Sequence, residues 1–205
     1  MGNPQPYKMS FAAGGLLINE SVEVARLHVT DEPWEDTIRR AIEEGTTALP
    51  KAESNRRTLR EISNRLLTLT DAERGLLIEQ TDRADRQALL WLATCRAYRF
   101  VREFAVEVIR ERYLSYQYDL PLESFDILLD AKAEWDEHLA SLTLSTRLKL
   151  RQVLFRIIRE AGILSPAGQI QAALLSSQLK FIIWEHAPSD LAVFPGVPVD
   201  GVRCE

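Results

Sequence analysis

The chain has 205 residues, of which 46% are hydrophobic and 27% are charged. These values are typical of a globular protein with a substantial core, and they exclude wholesale disorder. The formal net charge is −5. Long-range attraction of the whole protein to nucleic acid is therefore excluded, and any such binding has to come from a local basic patch.

The chain contains two cysteines, Cys95 and Cys204. Neither stands at a CxxC or Cys/His spacing, so we predict no metal site and no disulfide framework, which fits a reducing cytoplasm. The sequence also has no run approaching the roughly 20 apolar residues that a membrane-spanning helix needs. We therefore expect a cytoplasmic protein that does not cross a membrane.

The first ten residues have little to bury, and they are predicted to form a flexible tail. An apolar stripe then predicts a helix that ends near His28. Acidic residues before Pro33 open a second helix, which Gly45 closes. Residues 46–53 are predicted to be a linker.

Three further helices are predicted in the N-terminal part. Ser54 is the expected N-cap of the first. The second begins at a Thr-x-x-Glu capping box, residues 70–73. The third starts at Asp82 or Asp85 and runs to about Tyr116, with a bend or a break on the way. Trp91, like the tryptophans at 135 and 184, stands at helical spacing and is expected in the core.

Pro121 marks the clearest boundary in the chain. We divide the protein into a tail (1–10), an N-terminal helical subdomain (11–118) and a C-terminal helical subdomain (119–205). Three helices are predicted after the boundary, over residues 122–139, 145–161 and 176–186. The segment SPAGQIQAALLS, between the last two, is expected to form a turn and one small strand. A short helical turn is expected over residues 189–194. The fold class is all-α, a multi-helix bundle with at most one small β element.

Charge is unevenly distributed along the C-terminal part. Residues 119–137 hold seven acidic residues and one lysine, a formal charge of −6. Residues 145–160 hold five basic residues and one glutamate, a formal charge of +4. An acidic protein thus carries one strongly basic helix, and this helix is the main candidate for a functional surface.

The basic helix is amphipathic. Its predicted core face is formed by Leu150, Leu154, Ile157, Ile158 and Ala161. Three bases share another face, with two more beside it: Lys149, Arg156 and Arg159, flanked by Arg147 and Arg151. Ser145 or Thr146 is the expected N-cap, and Gly162 is expected to end the helix in a left-handed conformation.

A basic helix followed by a tight turn, a small β element and another helix has the outline of a winged helix-turn-helix, which places a helix in or near the DNA major groove. Two alternatives stay open. In the first, the bases form an ordinary solvated face; in the second, they pair with the acidic segment just before them. A second candidate patch, which has the same alternative of a solvated face, consists of Arg56, Arg57 and Arg60.

No catalytic site is indicated. The three histidines, His28, His138 and His186, have no partner at ligand spacing. Asp126, Asp130 and the acid at 134 share one helix face, and a solvated face is the favoured interpretation. No phosphate-binding glycine loop or nucleophile elbow occurs. We expect no cofactor and no enzymatic activity.

Three segments, in this order, resemble the BrxA family of accessory proteins in BREX phage-defence systems. They are SFAAGGLLINESVEVARLH near the start, SNRRTLREISNRLLTLTDAERGLLIEQ with LLWLATCRAYRFVREFAVEVIRERY in the middle, and LSTRLKLRQVLFRIIREAGIL with LLSSQLKFIIWE and DLAVFPG near the end. The specificity of the resemblance rests on order and length, because no segment is an invariant chemical motif.

The resemblance implies a helical, non-enzymatic protein with a winged-helix-like part that binds double-stranded DNA. It also implies partners among the other BREX proteins, which include an ATPase, a methyltransferase and a phosphatase-like protein. The residues expected to contact DNA come from the charge pattern and not from the family. An adaptor that docks other BREX subunits without touching DNA, and a sequence-specific regulator of its own operon, are the alternative functions.

Overall fold

The computed structural model describes residues 7–12, 14–45, 52–79 and 82–199, with side chains from residue 55 onward in the third helix. The described residues form eleven α-helices and contain no β-strand, which confirms the all-α class. The helices are α1 (Ile18–Leu27), α2 (Trp34–Glu43), α3 (Ala52–Leu66), α4 (Asp71–Glu79), α5 (Arg83–Ala97), α6 (Arg99–Glu103), α7 (Glu111–Leu114), α8 (Glu123–Ala133), α9 (Glu137–Ala140), α10 (Leu144–Glu160) and α11 (Ser177–His186). A π-helical segment (Phe104–Arg110) joins α6 to α7, and a 3-10 helix (Pro188–Val193) follows α11, close to the predicted helical turn.

Helix starts follow local chemistry. At α4 the Thr70 N–H donates to Glu73 Oε2 at 2.8 Å, and the Glu73 N–H donates to Thr70 Oγ1 at 3.2 Å, which confirms the capping box. The predicted N-cap of α3 is wrong, because the helix begins at Ala52, two residues before Ser54. The predicted linker therefore ends by residue 51, and residues 46–51 lie outside the described residues.

The long helix predicted to reach Tyr116 is broken, as expected. The break falls at Tyr98, whose φ of −130° and ψ of 102° are extended. The Tyr98 side chain is fully buried, and its hydroxyl donates to Glu61 Oε2 of α3 at 2.5 Å. Burial, and next the charge of Glu61, raise the pKa of Tyr98, so the phenol stays protonated. The break thus places a hydrogen-bonding side chain inside the bundle.

The helix predicted over residues 122–139 is two helices, because Asp136 caps α9 by accepting from the Leu139 N–H at 2.9 Å. Trp135 falls in the gap, is 86% exposed, and does not belong to the core as predicted. The prediction is also wrong for Trp184, which lies on the outer side of α11 and is 40% exposed. Trp91 is fully buried, and its Nε1–H donates to the Val193 carbonyl at 2.9 Å.

The described part of the predicted tail packs on the bundle. Tyr7 and Met9 are buried, and the Tyr7 hydroxyl donates to Glu103 Oε2 at 2.5 Å. The expectation of a flexible tail is therefore wrong for residues 7–10, because the side chains of Tyr7 and Met9 pack in the apolar core. Residues 1–6 lie outside the described residues.

One cluster of buried side chains spans the predicted boundary between residues 118 and 119. Phe100 and Phe125 meet edge to face with ring centroids 5.4 Å apart, and Phe104 and Phe155 meet at 6.2 Å. The division into two subdomains stays a prediction, and the cluster shows that the core is shared across it.

The segment between α10 and α11 pairs through two isolated antiparallel bridges, Asp119 with Gln169 and Leu164 with Ile170. The Ile170 N–H donates to the Tyr118 carbonyl at 2.7 Å, and the Gln171 N–H donates to the Ile163 carbonyl at 2.8 Å. The expected small strand is thus reduced to single bridges that join three short extended segments.

A buried ionic network fixes the position of α5. Arg96 donates through Nη1 and Nη2 to both carboxylate oxygens of Glu73, at 2.6 and 2.9 Å, and through Nε to Asp190 at 2.7 Å. The Arg96 Nη1–H also donates to the Thr68 carbonyl at 3.0 Å. Burial alone acts to lower the pKa of Arg96, and the hydrogen bonds to Glu73 and Asp190 outweigh it, so that the pKa is raised.

We predict that Arg96→Met lowers the free energy of unfolding by about 3–5 kcal/mol, because the buried Glu73 carboxylate loses its counter-charge and Asp190 keeps only its pair with Arg102. Urea denaturation measures the change. Arg26→Met is the control, since Arg26 and Glu23 form an exposed pair at 3.0 Å that contributes at most about 1 kcal/mol. Equal losses in the two variants would contradict the structural role of Arg96.

The turn between α1 and α2 is organised by Glu32. Its carboxylate accepts from the Val29 N–H at 3.0 Å, from the Thr37 hydroxyl at 2.7 Å and from Arg40 Nη1 at 2.8 Å. The hydrogen bond from Arg40, followed by that from Val29, lowers the pKa of Glu32 from 4.5 to about 2. A lowered carboxylate pKa stabilises the folded state above the unfolded-state pKa and stops doing so as pH falls through the folded-state pKa.

We therefore predict that Glu32→Gln destabilises the protein fully above about pH 5, where the wild-type carboxylate is ionised in both states. The difference from wild type should shrink as pH falls from 4.5 toward about 2. Denaturation of both proteins across this pH range measures it. A difference that is constant over the whole range would show that the charge of Glu32 contributes nothing.

Candidate functional site

Helix α10 is built as its pattern predicts. Thr143, not Ser145 or Thr146, is the N-cap, and its Oγ1 accepts from the Thr146 N–H at 3.3 Å. The predicted cap is thus wrong by two residues or more, because the chain already turns into the helix at Leu144. The predicted core face is confirmed: Leu150, Leu154, Ile157 and Ile158 are buried, and Ala161 at its end is partly buried against the core. Gly162 ends the helix with a φ of +75°, as expected.

Three bases of α10 point to solvent. Lys149, Arg156 and Arg159 are all exposed, with Gln152 exposed between them. Lys149 and Arg159 form no ion pair with any residue that the structure describes. Arg156 pairs with Glu160 of the same helix through its Nε at 2.7 Å, and is itself 63% exposed. Lys149 and Arg159 are ten residues apart in the helix, so the three charges lie along about 15 Å of one face.

The two flanking arginines turn the other way, toward α8. Arg147 Nη1 lies 2.7 Å from Asp130 Oδ1, and Arg151 Nη1 pairs with Asp126 Oδ2. Pairing of the basic helix with the preceding acidic segment therefore occurs for these two bases and for none of the other three. The carboxylates at 126 and 130, expected to face solvent, are the partners of this pairing. Helix α10 thus has a neutralised side against α8 and a side whose positive charge remains available.

The end of α10 is tied to the N-terminal part. Glu160 Oε2 accepts from the Leu16 N–H at 2.5 Å, and Gln87 Nε2 of α5 donates to the Glu160 carbonyl. A Cβ at Gly15 would clash with the Glu160 carboxylate, so the close approach requires glycine. The pattern within α10 gave no signal for these contacts, because Leu16 and Gln87 are 144 and 73 positions away.

The second candidate patch lies on α3. Arg56, Arg57 and Arg60 are exposed, and α3 packs against α1, α2 and α5, whereas α10 packs against α5 and α8. The patch therefore belongs to another side of the bundle. Arg56 and Arg60 line a groove between α2 and α3, and Arg57 does not.

The described side chains form no arrangement that indicates a metal-binding or catalytic site. Within residues 7–12, 14–45, 52–79 and 82–199, no group of three His, Cys, Asp or Glu side chains could hold a metal ion. Cys95 is buried, and burial raises the pKa of its thiol well above the usual value. His28 stacks on Trp34 at 3.9 Å between ring centroids, and burial lowers the pKa of His28.

Among residues 7–12, 14–45, 52–79 and 82–199, no helix is long and apolar enough to cross a membrane.

Comparison with known proteins agrees with the resemblance found in the sequence. The sequence profile of the BrxA family matches residues 5–187. The BREX protein BrxA of Escherichia coli O9:H4 (strain HS) is 28% identical over 182 residues, which cover 87% of this chain and 84% of that protein. An uncharacterized protein from Magnetospirillum magneticum has the same fold, with a TM-score of 0.78 at 21% identity over 95% of this chain and 99% of that one. With a family match that extends over most of its length, the chain belongs to the BrxA family.

Proposed function

We propose that this protein is a non-catalytic, cytoplasmic accessory protein of a bacterial BREX phage-defence system, and that it binds double-stranded DNA. The observation that carries the proposal is the exposed face of α10. In a protein with a net charge of −5, three bases share one solvent-facing side: Lys149, Arg156 and Arg159. Family membership supplies the link to BREX.

The surroundings of α10 support a winged-helix-like unit. In chain order, an extended segment at Asp119 leads into α8, then α10, then a bridge at Leu164, a turn through Gly168 and a second bridge at Ile170. The last of these segments, residues 168–170, pairs with the other two: the Leu120 N–H donates to the Gly168 carbonyl at 3.0 Å, and Ile170 forms the bridge to Leu164. In such a unit, α10 takes the position of the recognition helix and the turn at Gly168 takes that of the wing.

We expect weak sequence preference. Lysine and arginine on an exposed helix face mainly neutralise phosphates, which positions a protein on DNA without reading bases. Arg147 and Arg151 flank the face and contribute less, because their charges are already compensated by Asp130 and Asp126. Gln152, exposed at the centre of the face, is the side chain best placed to touch a base edge.

Charge reversal tests the face directly. Lys149→Glu/Arg159→Glu should weaken binding to a random duplex by at least about tenfold at low salt, and should reduce the slope of log K against log salt by about 2. Gel-shift titrations at several salt concentrations measure both quantities. The matched control is Lys8→Glu/Arg26→Glu, which changes the net charge equally at exposed positions away from α10. Equal weakening in the two variants would refute the assignment to this face.

The paired carboxylates give a test in the opposite direction. Asp126→Asn/Asp130→Asn releases Arg147 and Arg151 and removes two negative charges beside α10. Affinity for duplex DNA should therefore increase several-fold at low salt, with a steeper salt dependence. Glu20→Gln/Glu23→Gln on α1 makes the same change in net charge and should have a much smaller effect. Unchanged affinity in the aspartate variant would show that DNA does not bind at the α10 face.

Arg56, Arg57 and Arg60 form the second candidate contact. Phosphate binding by this patch would depend on all three charges, so that reversal of Arg57 weakens DNA binding as much as reversal of Arg56. A role of the groove in protein contact would involve Arg56 and Arg60 alone, because these two line it.

An adaptor function without DNA is the alternative, and the exposed side chain of Trp135 favours it. Large apolar side chains that are fully exposed are frequent at protein interfaces. Co-purification with other BREX subunits that is lost on reversal of Lys149 and Arg159, with no gel shift by the wild type, would select this alternative.

A further inference from the structure

Helix α8 and the turn after it carry an exposed apolar stripe. Ile127 is 69% exposed and Trp135 is 86% exposed, and Ala131, also exposed, stands between them. Ile127 and Ala131, four residues apart, share one side of α8, and Trp135 follows two residues after the helix ends. Nothing in the described part of the chain covers the indole of Trp135.

The stripe has an acidic border. Glu123 and Glu134 are exposed, and neither forms an ion pair with a described residue. They differ in this from Asp126 and Asp130, which form salt bridges with arginines of α10. Free carboxylates around an apolar row repel phosphate, so DNA does not fit this surface. The matching surface is an apolar groove with a basic wall.

The protein itself carries such a groove, between α2 and α3. Its volume is about 450 Å³, within the range of pockets that enclose small ligands. Ile38 and Ile42 contribute its apolar lining, and Arg56 and Arg60, four residues apart on α3, form its basic wall. The α2 wall is mixed, with Glu35 and Glu43 on either side of Arg39, which is paired with Asp36 at 2.7 Å.

We propose that the groove receives the α8 stripe of a second copy of this chain. In this contact, the Trp135 indole enters the groove between α2 and α3, and Glu134 lies against Arg56 and Arg60. The two surfaces are different parts of the molecule, so the contact is head-to-tail. Each copy keeps one free stripe and one free groove, and association continues as an open chain or closes as a ring.

The contact buries a small area, and its affinity is therefore expected to be low. A fully buried tryptophan contributes about 150–250 Å², whereas a stable interface buries about 800 Å² on each partner. Self-association should therefore appear only at high protein concentration. It would become effective where copies are held close together, because a tether or a shared lattice raises their effective concentration.

Sedimentation velocity over a wide concentration range, without DNA, tests the proposal. The average sedimentation coefficient of the wild type should rise continuously with concentration. Trp135→Ala, or Arg56→Glu/Arg60→Glu, should weaken the association at least about tenfold. The matched controls are Leu174→Ala, at another exposed apolar position, and Arg57→Glu, on the same helix and outside the groove; both should behave as wild type. A wild type that stays monomeric, or controls that lose association equally, would overturn the proposal.

A mixture of the two defective variants separates a head-to-tail contact from a symmetric one. Trp135→Ala retains the groove, and Arg56→Glu/Arg60→Glu retains the stripe, so the mixture can form one productive contact and should stop at a 1:1 heterodimer. In a symmetric interface, the heterodimer would keep only one of its two equivalent contacts, and it would be weaker than the wild-type dimer. Absence of the heterodimer, with both variants folded by circular dichroism, contradicts the head-to-tail assignment.

The proposal does not depend on DNA binding. Lys149→Glu/Arg159→Glu leaves both surfaces unchanged, and this variant should self-associate as the wild type does. Loss of DNA binding with retained association, or the reverse, therefore identifies which of the two proposals has failed.

Discussion

The guanidinium group of Arg96 is the interaction on which the rest of the fold depends. It holds the capping box of α4 through Glu73, the end of α3 through the Thr68 carbonyl, and the 3-10 helix near the C-terminus through Asp190. These contacts fix α5 in the centre of the bundle, where α3, α4 and α10 pack against it. Because charged groups in the interior are costly unless fully paired, the network constrains all of these segments to one relative arrangement.

The position of α10 follows from this frame. Its buried face joins the shared core, its last carbonyl and the Glu160 carboxylate bind the N-terminal part, and two of its arginines pair with α8. The fold thus uses some of the positive charge of α10 to attach the helix and leaves the rest on one exposed side. An acidic protein thereby presents a local positive face, which is the electrostatic requirement for phosphate contact.

The same pairing divides the surface into two parts of different character. Asp126 and Asp130 pair with α10, and α8 with the turn after it keeps an exposed apolar stripe that ends at Trp135. A positive face suits a polyanion, and an apolar row with acidic borders suits another protein. In the proposed functions, a member of the BrxA family would therefore contact DNA through α10 and a second copy of itself through other surfaces.

The sequence alone determined the features that arise within a few residues. The capping box at Thr70, the left-handed end of α10 at Gly162 and the buried face of that helix depend on neighbouring residues, and all were predictable. The π-helical segment gave no recognised signal, and Trp135 and Trp184 were misplaced in the core, because helical spacing does not say which elements cover a face. Only the tertiary structure decided which bases of α10 are neutralised. Arg147 and Arg151 pair with residues that are 17 and 25 positions away in the sequence. This pairing depends on the angle at which two helices pack, which a one-dimensional charge pattern does not contain.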